Sequence, residues 1–437
     1  MNSSTAESIR CVMAGGWGAR SICGPFRRIS GVAVIAATVL MIGWGYLQPR
    51  AGLGGHAVES DAVLGKRPPF GAETFIHFYL GCRAALSGGN AYHPEDTLGP
   101  SEYAYRPLFH PPPSLLPFLA ISQLDFRCAT WINVAVNVVL LAVSGWFWGG
   151  VVSGTRRNWA ACVLCACSWV LWLPCLNLLG TGQCSAWALL GVSAWLAYQS
   201  RGMPTVAGAL LVAVLVKPHI AAVAVAFSLG YGCGMRRTRT VWAFAFCALV
   251  WCAITTCFVA EAWGDFLDFV RSSRPSSVQA ATLAALASRA LGGGFAAFWY
   301  GAWICAGLWG FVAGWTLGRR HLVSDDTHSG NGLACGLAMV CAVGLVLVPH
   351  AYSYDFVLLL PAFWTALTAL VLQHRVPQAL ALLTWLTLSV VWFAAKVQSV
   401  DGETGLWWIP WVGLLITAQS IPLVSAPILY KRNPAGC

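Results

Sequence analysis

Lys217 stands in the segment LVKPHIA (215–221) and is the only charged residue between Arg201 and Arg236. An ammonium with apolar sequence on both sides is expensive to keep in a membrane, so it marks a function and calls for an anionic partner. No acidic residue lies near it in the neighbouring apolar segments, so the expected partner is an anionic ligand; the plain alternative is a snorkelling lysine. Pro218 breaks the chain beside it, and His219 follows. A general base needs a carboxylate or imidazole held near the reacting hydroxyl. Glu73 and His77, four residues apart, share one helix face and supply both groups, unless both simply face water. His350 directly follows Pro349 at the end of the apolar run 345–348 and precedes Tyr352, Tyr354 and Asp355. Such a cluster is either an interfacial anchor or an imidazole turned into a cavity. Asn177, Gly180, Gly182 and Gln183 make a short polar turn, and Gln183, opening the next helix, offers a hydrogen bond to a ligand. Asp61, Glu95, Asp96 and Glu102 read as solvated loop charges. Cys162, Cys165 and Cys167 form a C-x-x-C-x-C run, but no His or further Cys pair stands beside it, so no metal site is expected there.

These side chains need elements to hold them, and composition says which kind. The chain has 437 residues, 58% of them hydrophobic and only 10% charged, and its mean hydropathy is +0.67. A soluble domain carries about 25% charged residues, so this chain must face lipid and reads as an all-α polytopic membrane protein. Its 23 Trp and 45 Gly agree, since Trp collects at membrane interfaces and Gly in packed membrane helices. The formal charge of +10 does not point to nucleic acid, because the basic residues sit in short clusters between apolar runs. Most of the 17 Cys lie inside apolar runs, where Cys packs as a small hydrophobe.

A spanning helix needs about 20 apolar residues. Candidates are 30–48, 128–152, 158–176, 184–199, 204–216, 218–233, 240–260, 295–318, 332–348, 354–373, 379–395 and 406–429. With twelve crossings and the N terminus inside, Arg27/Arg28, Arg156/Arg157, Arg201, Arg236/Arg237/Arg239, Arg319/Arg320, Arg375 and Lys431/Arg432 all fall on one side. Residues 1–29 are then a cytoplasmic tail and not a signal peptide, 30–430 a single transmembrane domain, and 431–437 a cytoplasmic tail, in a plasma (inner) membrane. This parity requires a split at Lys217-Pro218. At 1.5 Å per residue neither half comfortably crosses the ~30 Å hydrocarbon core, which places Lys217 and His219 at a bend below the outer surface, beside a water-filled cavity. Residues 49–127 form a long first outer loop and 261–294 a second. Within the first, Phe75, Phe78, Tyr79, Cys82 and Leu86 line one stripe of an interfacial amphipathic helix over 73–86, with Glu73 and His77 opposite. The proline-led run 110–124 makes a second interfacial helix. Glu73, Lys217 and His350 therefore open to the outer side.

Five stretches, in order, resemble motifs of glycosyltransferase family 87, membrane enzymes of the GT-C fold that use polyprenyl-phosphate sugars. FIHFYLGCRAALSGGNAY (75–92) is similar to that family's aromatic-A-A-x-A-L-L-x-G-G-x-P-Y stretch and YAYRPLFHPPPSLL (103–116) to its Y-x-Y-P-P-L segment. GTGQCSAWALL (180–190) is similar to its G-Q-x-n-x-L-L turn, LVKPHIA (215–221) to its L-K-P motif, and LVPHAYSYDFVLLLPA (347–362) to its P-H-s-x-x-Y-x-x-L-L-P segment. The resemblance implies a GT-C-like fold and transfer of mannose, or in relatives arabinofuranose, from a polyprenyl-phosphate carrier to a glycan or glycolipid acceptor on the outer side. It also implies a carboxylate base in the first outer loop and a site histidine at the position of His350. The family usually has Asp-Phe ahead of the aromatic helix; this chain has Glu73-Thr74, offset by about one residue, with Asp61 and His350 as alternative bases.

The reading that follows makes Glu73 and His350 catalytic, and Lys217, His77, Gln183, Asn177, His219 and Tyr352 the groups that bind substrate. Its partners are the lipid donor, the acceptor and the bilayer, with no nucleic acid, no metal and no soluble cofactor. The rival is a transporter or flippase for a lipid-linked anion, since broken helices at depth also occur in transporters. The long first outer loop and the absence of an internal repeat favour the enzyme. A third reading is an accessory subunit without catalysis.

Overall fold

In lipid a lone apolar segment can satisfy its own backbone hydrogen bonds only as a helix, and the regular structure among the described residues is entirely helical. The computed structural model describes residues 70–72, 74–92, 110–153, 159–259, 261–272, 295–323, 329–348 and 351–372, all of them within one compact unit. The expected spans 30–48, 379–395 and 406–429 and both tails lie outside the described residues, as do Asp61, Glu73 and His350.

The chain begins with α1 (Phe75–Leu86), followed by two 3₁₀ turns, Pro112–Phe118 and Ile121–Gln123. Next come α2 (Phe126–Val152), α3 (Trp159–Leu171), α4 (Leu173–Thr181) and α5 (Ser185–Ser200). α6 (Pro204–Leu211) runs on as the 3₁₀ turn Val212–Val216, and α7 (Pro218–Gly234) starts after Lys217. α8 (Arg239–Phe258), α9 (Ala262–Ser272), α10 (Phe295–Val323) and α11 (Ser329–Leu347) follow, and the 3₁₀ turn Ser353–Leu359 leads into α12 (Leu360–Leu372).

Four of these helices are long and apolar enough to cross a membrane, namely α2, α8, the Tyr300–Val323 part of α10 and the Gly330–Leu347 part of α11. The expected straight span 158–176 is instead two helices, α3 and α4, bent by 58° and counting as a fifth crossing if taken together. Pro174 explains the bend, because proline cannot donate to the preceding turn and favours the first positions of a new helix; Trp172 ahead of it is extended. The segments expected to cross at 184–199, 204–216, 218–233 and 354–373 are helical but short, α5 having 16 residues and α7 having 17. By helix length, then, the described residues do not supply the expected twelve crossings.

α1 forms where its aromatic stripe predicts, yet it is not a helix with one open face. Phe75, Phe78, Tyr79 and Cys82 are buried, but so are Ile76 and Leu80, while Leu86 is exposed. The covering layer is the 110–124 segment, which is two short 3₁₀ turns where one interfacial helix was expected. Side chains pin it down. Tyr79 donates to the Leu124 carbonyl at 2.8 Å, Tyr92 to the His110 carbonyl at 2.8 Å, and Trp251 of α8 to the Pro113 carbonyl at 2.8 Å. Burial, with Asp265 adding to it, pushes the Tyr92 phenol above its ordinary range, so it stays a donor.

α7 and α10 approach backbone to backbone. Gly230 and Gly234 on α7 lie against Phe311 and Trp315 of α10, Gly310, Gly314 and Gly318 on α10 lie against Val223, Phe227 and Tyr231 of α7, and a β-carbon at Gly230 or Gly314 would overlap the carbonyl oxygen of Phe311 or Phe227. Small residues at every fourth position are what allow such proximity in a membrane. Gly314→Ala should therefore destabilise the protein by about 1–3 kcal/mol, the usual cost of overpacking. Gly307→Ala, with nothing within 4 Å, should be neutral or slightly stabilising, since Ala is the better helix former. Thermal unfolding of both variants in detergent checks this. α8 turns Trp242, Phe246 and Leu249 outward, as a lipid-facing helix must.

Candidate functional site

The break between α6 and α7 creates the site. Pro218 opens α7, and Lys217 before it leaves the helical conformation with φ −146° and ψ 71°. Its side chain therefore enters the gap between two short helices, where it is only 3% exposed. All three ammonium protons find partners inside the protein. Nζ donates to Asp355 Oδ1 at 2.6 Å, to Ser185 Oγ at 3.1 Å and to Gln183 Oε1 at 3.3 Å. The ring of Tyr354 lies against it, 4.5 Å from Nζ to the centroid, a favourable place for a cation.

Asp355 is as deeply buried as the lysine, at 1% exposure. Its Oδ1 also accepts the Ser185 hydroxyl at 2.5 Å, and its Oδ2 accepts the backbone N–H of Tyr352 at 3.0 Å. His219 lies near enough to act on the carboxylate electrostatically. Two charges taken out of water each cost several kcal/mol, which their attraction offsets only when geometry is good and the remaining protons and lone pairs are satisfied. Here they are. The arrangement is therefore a neutral, hydrogen-bonded unit that binds the ends of α5 and α7 to the 353–359 turn.

A second set of bonds joins this unit to the segment that leads into α1. Gln183 uses its other end, Nε2, to donate to Thr74 Oγ1 at 2.9 Å. The backbone does the same in parallel, with Gly71 N–H on the Gly180 carbonyl and Thr74 N–H on the Thr181 carbonyl, both at 2.7 Å. From the other side, Asn133 of α2 donates to the Gly182 carbonyl at 3.2 Å. Gly182 ends α4 in the left-handed region, φ +72°, and a β-carbon there would overlap the Gly71 carbonyl. The polar turn 180–183 is thus the dock for Gly71 and Thr74.

Of the residues singled out by sequence, Lys217 and Gln183 are bonded to each other at the centre. His219 stands beside Asp355, and Tyr352 contributes its backbone N–H while its ring lies 5.3 Å from that of Tyr354. His77 is partly exposed on α1, and Asn177 is buried in α4; neither is among the groups that bond to Lys217 or Asp355. Glu73 and His350 lie outside the described residues, next in sequence to Thr74 and Ala351. One expectation is overturned. Lys217 does have an acidic partner, Asp355, 138 positions away. Ser185 and Tyr354 are further neighbours of Lys217 that sequence does not pair with it; the signal for Asp355 is that a buried lysine needs an anion and that an acid stands in the other polar cluster. Among the described residues no group of three or more His, Cys, Asp or Glu could hold a metal ion.

The sequence matches glycosyltransferase family 87 over residues 108–349, more than half of its length. The matched interval contains Gln183, Ser185 and Lys217. No curated protein and no solved structure matches it. With its apolar helices and a family match of this extent, the chain belongs to glycosyltransferase family 87 and is a membrane glycosyltransferase.

Proposed function

We propose that this enzyme moves a mannose-like or arabinofuranose-like sugar from a polyprenyl-phosphate donor to a glycan or lipid-linked acceptor on the outer face of the plasma membrane. The observation that carries the reading is the buried Lys217 cluster, bonded through Gln183 to the residue next to Glu73 and through Asp355 to the segment just after His350. The fold is a single GT-C-like domain of about twelve spans over 30–430, with cytoplasmic tails at 1–29 and 431–437 and outer loops at 49–127 and 261–294.

In this scheme Glu73, assisted by His77 or His350, takes the proton of the acceptor hydroxyl. The acceptor oxygen bonds to the anomeric carbon, the carbon–oxygen bond to phosphate breaks, and polyprenyl phosphate leaves with the electron pair. Charge grows on that phosphate as it leaves, and a fixed cation in a water-poor site stabilises it best. Lys217 is that cation. Its bond to Gln183, 3.3 Å long and to a neutral oxygen, is the weakest of its three and the one to yield to a phosphate oxygen, whereas the charge-assisted bond to Asp355 is retained. His219 adds a second donor on the same side, and Asn177 and Tyr352 line the approach to the acceptor or donor sugar.

The test is to incubate the purified protein in lipid nanodiscs with a panel of polyprenyl-phosphate sugars and measure release of polyprenyl phosphate. Release with at least one mannose or arabinofuranose donor is expected. If no donor releases carrier phosphate, while vesicles holding the protein carry a labelled donor across the bilayer, the protein is a transporter of the lipid-linked anion and the proposal falls.

A further inference from the structure

Asp355 takes no direct part in the transfer just described, yet both of its oxygens are in use. Oδ1 binds Lys217 and Ser185, and Oδ2 closes the first turn of 353–359 through the N–H of Tyr352. The lysine has four rotatable bonds, and without a fixed anion its ammonium would have several equivalent places to go. With Asp355 in place it has one, against Tyr354 and between α5 and α7. The same carboxylate fixes the chain just beyond His350. We infer that Asp355 is a positioning residue for sugar transfer, holding the Lys217 ammonium in register with the segment that carries His350. This deepens the donor reading above and rests on it.

The pair predicts one asymmetry in stability, from the buried charges themselves, and a second in kcat that a merely structural role would not produce. Removing one member of a buried pair leaves an unpaired charge, whereas removing both leaves none. Asp355→Asn should therefore lower the melting temperature in the wild-type background and raise it in a Lys217→Met background. Because Asp355 acts on the transfer mainly through Lys217, its loss should cost far more when the lysine is present than when it is absent. Asp355→Asn alone should reduce kcat about 10²-fold, as ångström-scale misplacement of a charge does, with a much smaller change in donor KM. In the Lys217→Met protein the same substitution should lower kcat only slightly, through the Tyr352 bond alone.

The experiment measures thermal unfolding and initial rates for the wild type, Asp355→Asn, Lys217→Met and the double variant, full length in nanodiscs, at a temperature where each is folded. If Asp355→Asn fails to fold, the comparison of the double variant with Lys217→Met still decides. Losses in kcat that multiply in the double variant, or wild-type kcat in folded Asp355→Asn, overturn the inference. Failure of the donor reading looks different: the wild type itself would turn over no polyprenyl-phosphate sugar. In that case the sign of the melting-temperature change in the Lys217→Met background tests the pair directly, and a further fall there overturns it.

Discussion

A Glu73→Gln protein should fold and bind donor like the wild type, yet transfer sugar about 10²–10⁴-fold more slowly, the usual cost of losing a general base. The substitution keeps size and hydrogen-bonding reach while removing the group that accepts the proton, so the loss belongs in kcat and not in donor affinity. The neighbourhood supports the assignment. Thr74, next to Glu73, is held by two bonds, its N–H on Thr181 and its hydroxyl oxygen on Gln183, and Gln183 in turn meets Lys217 at the place a donor phosphate would take. A base beside Thr74 would belong to the same region as Lys217, the proposed phosphate-binding group. The measurement is single-turnover transfer with a saturating polyprenyl-phosphate sugar, together with donor affinity. Near-normal turnover would move the role to His350 or Asp61, and the same assay on His350→Ala and Asp61→Asn would then say which.

Much of this arrangement was legible in the sequence, and the reasons differ by residue. Lys217-Pro218 was legible because a charge and a helix breaker in an apolar run leave few physical options, and the helix does break there. The helix at 75–86 was legible from its aromatic spacing. Its covering was not, because spacing tells which face is most apolar but not whether Ile76 and Leu80 on the other flank also find a partner. Pro174 was in plain view, yet the apolar run around it read as continuous and the bend went unread. Asp355 could be seen as part of an outer cluster but not as the partner of Lys217, since a contact over 138 positions is a product of how helices pack and leaves no local trace. Gln183 was seen as a donor to a ligand. Its actual bonds, to Lys217 on one side and Thr74 on the other, depend on the turn 180–183 receiving the 70–74 segment, which again only tertiary structure reveals.

That docking yields the second large effect. Gly182 and Gly202 share the same backbone conformation, φ +72° in each, but differ in what surrounds them. At Gly202 a β-carbon meets nothing within 4 Å, so Gly202→Ala should lose only the cost of a left-handed alanine, about 1 kcal/mol. At Gly182 the same carbon would overlap the Gly71 carbonyl and stand 2.8 Å from Phe75 Cβ, and neither backbone nor a β-carbon can swing aside. Gly182→Ala must therefore push residues 70–75 off the turn, loosening the Gly71–Gly180 and Thr74–Thr181 bonds and pulling Thr74 away from Gln183. With Glu73, next in sequence to Thr74, as the proposed base, sugar transfer should fall about 10²-fold or more, the usual penalty for displacing a catalytic group by an ångström, whereas Gly202→Ala should keep near wild-type rates. Comparing melting temperature and initial rate for the two variants subtracts the shared backbone strain and leaves the docking contribution. Equal losses in both would mean that the 70–74 segment does not need the turn to place its carboxylate, and the path from Lys217 through Gln183 to Glu73 would lose its physical basis.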